Sequence, residues 1–196
     1  MISLIPAPKK TKPPVIIGIG GGIDAGKTTV SEYLQDKYGF MEENFSDPIK
    51  DMLAAMGLDE YDISGPGKEE PNHEILCGKT PRFAMRTLGT EWGRGFISSG
   101  VWTMHWVRRA QMMLAADYNV VEAGTRFPDE VNTLRGLGGK LWYIEKLEAE
   151  KNNKDHVSEL HNIRQYADHI IVNNGTLNDL YRSVDAVLLK MGVLDE

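Results

Sequence analysis

Cysteine is almost absent from this chain: Cys77 is the single one in 196 residues, which excludes an intramolecular disulfide framework and fits a reducing cytosol. No apolar run approaches the about 20 residues that a membrane-crossing helix needs, so a soluble chain is expected. Positive charge is also scarce. With 22 basic against 28 acidic side chains and a formal charge of -6, no overall field draws the molecule to nucleic acid or to an anionic membrane. Any phosphate it binds has to be met by cations clustered locally. The order of a secretory signal is missing too: in MISLIPAPKKTKPP the lysines follow the short apolar stretch, and four prolines interrupt it, so residues 1–14 read as a flexible Pro/Lys arm.

What is present is an alternation of strand and helix patterns in a chain that is 41% hydrophobic, enough for one core. Residues 15–20 (VIIGIG) form an apolar run too short for a helix and lead into a glycine cluster, the pattern of a buried parallel strand. A helix begins near Gly26, carries Val30, Tyr33 and Leu34 on one face, and ends at Gly39. Residues 40–45 make a weak second strand. Pro48 opens a short helix whose stripe is Ile49, Leu53 and Met56. Residues 58–80 break the pattern with Gly65, Pro66, Gly67, Pro71 and Gly78; such a stretch inside a compact domain is disordered or functional. Helices over 81–92 and 102–116 follow, the second with a Met and Trp stripe that reads as helix packing. Strands over 118–123, 141–144 and 169–172, with helices from Asp129 and over 177–191, complete the series. This alternation predicts an α/β fold with a central parallel sheet covered on both faces.

The strongest local signal is Gly21-Gly22-Ile23-Asp24-Ala25-Gly26-Lys27-Thr28, which fits G-x-x-x-x-G-K-[ST] and lies between a predicted strand and a predicted helix. Glycines let backbone N–H groups turn toward phosphates, and the new helix adds the positive end of its dipole. Lys27 is expected on the β and γ oxygens and Thr28 on Mg²⁺. Thr29 either contacts the α-phosphate or packs in the first turn. The candidate triphosphate-binding residues are thus Gly22, Ile23, Asp24, Ala25, Gly26, Lys27, Thr28 and Thr29. An acid at a strand end near this loop is expected to help hold the metal, and Glu122, near the end of YNVVEA, is the candidate.

The motif leaves the acceptor open among a small-molecule kinase, a nucleotide-dependent switch or ATPase, and a binding module. Transfer between two polyanions needs a second set of cations, and arginine is favoured because its planar fork grips phosphate at two points. Lys50 in SDPIKDML, Arg82, Arg86 and Arg94 in TPRFAMRTLGTEWGR, and Arg126 in GTRFPDE are the candidates.

The succession GIDAGKTT, SDPIKDML, TPRFAMRTLGTEWGR, VWTMHWV, GTRFPDE, DHVSE and IVNNGTLNDL resembles the phage deoxynucleoside monophosphate kinases over nearly all of residues 15–189. The resemblance implies a three-layer P-loop kinase fold over residues 15–196, with a helical acceptor-binding region at about 46–105 and a lid at about 146–160. It implies transfer from ATP with Mg²⁺ to a deoxynucleoside 5′-monophosphate, giving the diphosphate for DNA synthesis, in the cytoplasm of an infected host. Lys27, Arg82 and Arg126 are then catalytic candidates. Arg82, Arg86 and Arg94, assisted by Lys50, meet the acceptor phosphate, while Glu91, Trp92 and Trp102 wall its base and sugar. Lys151, Lys154 and His156 fall in or beside the lid. Asn174, Gly175 and Thr176 line the donor adenine, or else form a plain turn with Thr176 as helix cap. A homodimer is compatible with the resemblance. One departure stands out: Gly124 occupies a place where relatives carry Asp, so Glu122 or Asp24 must replace it. The rival expectations are a kinase of another metabolite, such as dephospho-coenzyme A, and a nucleotide-driven switch.

Overall fold

The computed structural model describes residues 12–146 and 163–195. Within them the chain forms two compact units: one from the segments up to Asn44 and from Val107 onward, the other Phe45–Trp106. Each has its own apolar core.

The first unit is built on a parallel sheet. Its strands among the described residues are β1 (Ile16–Gly21), β2 (Met41–Glu42), β3 (Val120–Glu122), β4 (Lys140–Glu145) and β5 (His169–Val172), in the order β2-β3-β1-β4-β5. The helices are α1 (Lys27–Tyr38), the later part of α5 (Val101–Ala115), α6 (Pro128–Gly136) and α7 (Leu177–Lys190). Alternation along β1 sends Ile17 and Ile19 to one face. There they join Trp142, Ile144 and Ile171 of the sheet with Val30 and Leu34 of α1 and Leu180, Val184 and Leu188 of α7. Each of these fully buried aliphatic side chains contributes roughly 1.5–3 kcal/mol relative to exposure. Val131 of α6, Leu141 and Ile163 make a separate buried cluster. The parallel sheet with helices on both faces is the architecture the sequence pattern predicts.

Local signals account for most ends. Gly39 closes α1 in the left-handed conformation, with its N–H donating to the Gln35 carbonyl at 2.9 Å and Phe40 N–H to Leu34 at 3.2 Å. Thr176 opens α7: its hydroxyl accepts from Asp179 N–H while the Asp179 carboxylate accepts from Thr176 N–H at 2.9 Å. The weak strand expected over 40–45 is shorter than read, reduced to Met41–Glu42, because Glu43 and Asn44 turn their side chains to tertiary partners. Asn44 Oδ1 accepts from Ala123 N–H at 2.9 Å, tying the ends of β2 and β3.

The second unit contains α2 (Asp47–Ala55), α3 (Glu60–Ile63), a 3₁₀ turn (Pro66–Glu69), α4 (Pro81–Arg86), a π-helix (Thr87–Ile97) and the first residues of α5. The stretch over 58–80, expected to be patternless, is ordered here. Leu58 and Ile63 are buried with Leu53, and Ile75, Leu76, Met85 and Leu88 pack around them. The predicted helix over 81–92 is also revised. Thr80 caps it by accepting from Phe83 N–H at 3.1 Å, but the helical repeat widens after Arg86, and Ser98 N–H reaches the Gly93 carbonyl at 3.0 Å. Trp102 is the physical reason. Its indole N–H donates to the Gly89 carbonyl at 2.8 Å, and its ring lies so close to Gly93 that a Cβ there would stand 2.3 Å away.

The expected arm and lid are mostly outside the described residues. Of residues 1–14, Lys12, Pro13 and Pro14 are described, and Lys12 pairs with Asp195. Lys151, Lys154 and His156 lie outside them. No helix among the described residues is long and apolar enough to cross a membrane.

Candidate functional site

In an open parallel sheet, ligands gather beyond the carboxyl ends of neighbouring strands whose onward connections run to opposite sides. Here that crevice lies between β1 and β3: β1 leads through α1 to β2, and β3 leads through α6 to β4 on the other side of β1. Two loops flank it, residues 21–27 after β1 and 123–127 after β3.

The first loop is held in shape by its backbone and by β5. Gly26 stands at φ 104°, a left-handed conformation that disfavours side chains, and Asp24 is left-handed at φ 57°. Asn173, just past β5, donates from Nδ2 to the Ala25 carbonyl at 2.8 Å. A Cβ on Gly26 would come within 2.6 Å of that same Nδ2. The turn thereby feeds straight into α1, whose first N–H groups lack helical acceptors and whose dipole favours an anion. Lys27 folds back over the loop, its ammonium donating to the carbonyls of Gly21 at 3.0 Å and Gly22 at 2.6 Å. Thr28 and Ile23 are exposed, Thr29 half-buried, and Ala25 buried.

The second loop carries Arg126, whose side chain is exposed at the end of β3. Glu122, the last residue of β3, is buried; its carboxylate accepts from the Thr125 hydroxyl and from Gly124 N–H at 2.9 Å. Burial, and then the charge of Glu130, push its pKa up from 4.5 to about 8. Each of its oxygens thus meets one of the loop's own donors. This gives Gly124 a role: its N–H helps to satisfy the carboxylate.

Magnesium suits the remaining donor set. Among the described residues no group of three or more His, Cys, Asp or Glu side chains could hold a metal ion. Mg²⁺ retains most of its waters and takes few protein ligands, so one hydroxyl from Thr28 beside substrate phosphates is the kind of site it uses.

Of the three donor-side residues expected after β5, the Thr176 hydroxyl is engaged in capping α7, donating to Asp179 Oδ2 at 2.6 Å. Asn174 and Gly175 precede it in the same turn. The residue that sequence reasoning missed is Asn173, which touches the Gly21–Lys27 loop directly.

The second unit holds the remaining candidates. Lys50 on α2 lies 3.5 Å from Asp47. Arg82 pairs with Glu69, and Arg86 lies over the Phe83 ring, 5.6 Å from its centroid. Glu91, Trp92 and Arg94 all lie in the π-helix, a geometry concentrated at functional sites. Arg94 donates to the Ser99 carbonyl at 3.2 Å. Trp92 is 40% exposed, whereas Trp102, expected beside it as a wall, is only 6% exposed and packs against the π-helix. Trp92 is therefore the indole with a face to offer. On α5 the tryptophans Trp102 and Trp106 are buried, as packing predicts, but Met104 and Met112 are exposed.

Residues 72–184 match the family of deoxynucleotide monophosphate kinases. A protein of Acanthamoeba polyphaga mimivirus that carries the name deoxynucleotide monophosphate kinase is 31% identical over 184 residues, covering 87% of this chain and 94% of its own. Among solved structures, shikimate kinase from Aquifex aeolicus aligns with a TM-score of 0.52 at 14% identity, covering 92% of this chain and 100% of its own. Dephospho-CoA kinase from Campylobacter jejuni aligns with a TM-score of 0.51 at 15% identity, covering 92% and 98%. At such identities these two structures establish the P-loop kinase fold alone.

Proposed function

This chain belongs to the deoxynucleotide monophosphate kinase family, and on that premise we propose that it transfers the γ-phosphoryl group of ATP to a deoxynucleoside 5′-monophosphate. The observation that carries the reading is the phosphate-binding loop at the end of β1, held by Asn173 and closed over by Lys27. In this reading the backbone N–H groups over 22–28 cradle the triphosphate, and Lys27 exchanges its loop carbonyls for the β and γ oxygens. Thr28 holds Mg²⁺, which when bound neutralises charge on those oxygens. Lys27 and Arg126 then stabilise charge developing on the transferred group, the largest lever available to a reaction that is mostly positioning. The acceptor already carries an anionic oxygen, so no general base is needed.

For the acceptor, the reading assigns its phosphate to Arg82, Arg86 and Arg94 with Lys50, and its base to the exposed face of Trp92, because an aromatic ring stacks on any base. Arg82 would exchange Glu69 for phosphate, which its planar fork can also grip at two points.

A coupled assay of diphosphate formation across the four dNMPs, dUMP and the ribonucleoside monophosphates tests this. Turnover with one or more deoxynucleotides is the expected result. Triphosphate hydrolysis unaffected by every monophosphate would replace the kinase reading with a switch or ATPase.

A further inference from the structure

The loop after β3 is pinned through its backbone. Four consecutive backbone N–H groups each have an acceptor: Gly124 gives to Glu122 Oε1 at 2.9 Å, Thr125 to the Ile19 carbonyl at 3.2 Å, Arg126 to Glu130 Oε2 at 2.8 Å, and Phe127 to the same oxygen at 3.0 Å. Two of those acceptors are side-chain carboxylates with almost no exposure, 1% for Glu122 and 5% for Glu130. Burying a carboxylate is costly unless several donors meet it. A chain that needed only to cap α6 could use a short, exposed Ser or Asp at the cap position. Here the cap position is Phe127, and Glu130, in the first turn of α6, reaches back past it to the N–H of Arg126 as well.

We propose that Glu130 is a positioning residue for turnover: by gripping the N–H groups of both Arg126 and Phe127, it sets the direction in which Arg126 leaves the end of β3. The inference rests on the reading of Arg126 given above. It goes beyond it by naming the residue that keeps a long, exposed side chain aimed from a fixed backbone. Aim matters because a misplacement of about 1 Å at a reacting centre costs on the order of 100-fold in rate. The Ile19 carbonyl anchors the same loop to β1, the strand that runs into the phosphate-binding turn, so both loops of the crevice share one reference strand.

A double-mutant cycle tests this with ATP and the best dNMP acceptor. Glu130→Ala is expected to lower kcat by about 10- to 100-fold, with the KM for ATP little changed. In an Arg126→Ala background the same substitution is expected to change kcat by less than about twofold, because the group it aims has gone. Glu130→Gln, which keeps one acceptor oxygen, is expected to retain more of the rate than Glu130→Ala. If Glu130→Ala does not fold, as judged by circular dichroism and melting, Glu130→Gln takes its place in the cycle. An equal loss in both backgrounds overturns the proposal and leaves Glu130 a helix-capping residue. Full activity in Glu130→Ala beside a slow Arg126→Ala overturns it while sparing the role of Arg126. Full activity in Arg126→Ala removes both.

Discussion

Asn173 Nδ2 lies 2.8 Å from the Ala25 carbonyl, joining the end of β5 to the turn that opens α1 across 148 residues of sequence. The bond orients the peptide between Ala25 and Gly26 and so the N–H groups that follow. Asn173→Asp replaces the donor with an anionic acceptor and sets negative charge beside a phosphate-binding loop. The KM for ATP is expected to rise by about tenfold or more, the cost of losing a hydrogen bond and leaving an acceptor opposed. Initial-rate kinetics with both substrates varied would show the rise in the ATP term and none for the dNMP; an unchanged ATP term would make the tie dispensable.

Lys27→Ala is expected to lower turnover by about 10²- to 10³-fold, since Lys27 acts mainly on developing phosphate charge. Its contacts with the Gly21 and Gly22 carbonyls are made by a side chain on the rim of the loop, not in the core. The melting temperature should therefore stay close to that of the native chain. Native turnover in the variant would take the loop out of the mechanism.

Arg126→Ala should impair kcat more than dNMP affinity, as expected for a group whose interaction strengthens in the transition state. Steady-state rates at saturating and limiting dNMP separate the two. A pure rise in KM would reduce Arg126 to uniform binding.

Glu122 predicts a pH dependence of stability. Its pKa is raised in the fold to about 8 from 4.5, first by burial and then by Glu130. Between those two values the native state holds more protons than the unfolded chain, so stability falls as pH rises. The contribution is present in full below about 4.5 and is lost as pH passes about 8. Urea unfolding from pH 5 to pH 9 should show this decline, and Glu122→Gln, which does not ionise, should flatten it. Parallel curves for the two proteins would mean that Glu122 is not the titrating group.

Gly93→Ala introduces a methyl group where the Trp102 ring stands 2.3 Å from the added carbon. Overpacking of this kind costs about 1–3 kcal/mol. A lower denaturation midpoint is expected, with a change in Trp fluorescence because the indole must shift. An unchanged midpoint would show that the π-helix yields to the extra carbon.

The parts of the site that could be read from sequence are those set by local rules. The apolar run before Gly21, the glycines of the turn and the onset of α1 lie within a dozen residues of one another, and their spacing alone requires a strand, a phosphate-binding turn and a helix. Thr176 as the cap of α7 is equally local, because its partner Asp179 is three residues away. Short-range hydrogen bonds and the helical and strand periods decide such features, and they are written in the order of the residues.

Only the tertiary structure decided the rest. Residues 58–79 look patternless because Leu58, Ile63, Ile75 and Leu76 follow no period; they are ordered by packing onto Leu53, Met85 and Leu88. The widening of the helix after Arg86 depends on Trp102 arriving from the next helix against Gly89 and Gly93, a contact that no helical pattern in 81–97 encodes. The amide side chains that shape the crevice are likewise distant: Asn173 donates to the Ala25 carbonyl, and Asn44 accepts from Ala123 N–H. The sequence by itself determined that a glycine-rich turn between a strand and a helix forms at Gly21 to Thr28. That Asn173 braces it, and that Glu122 is buried with its oxygens on Thr125 and Gly124, followed from strands brought side by side by burial of their apolar faces.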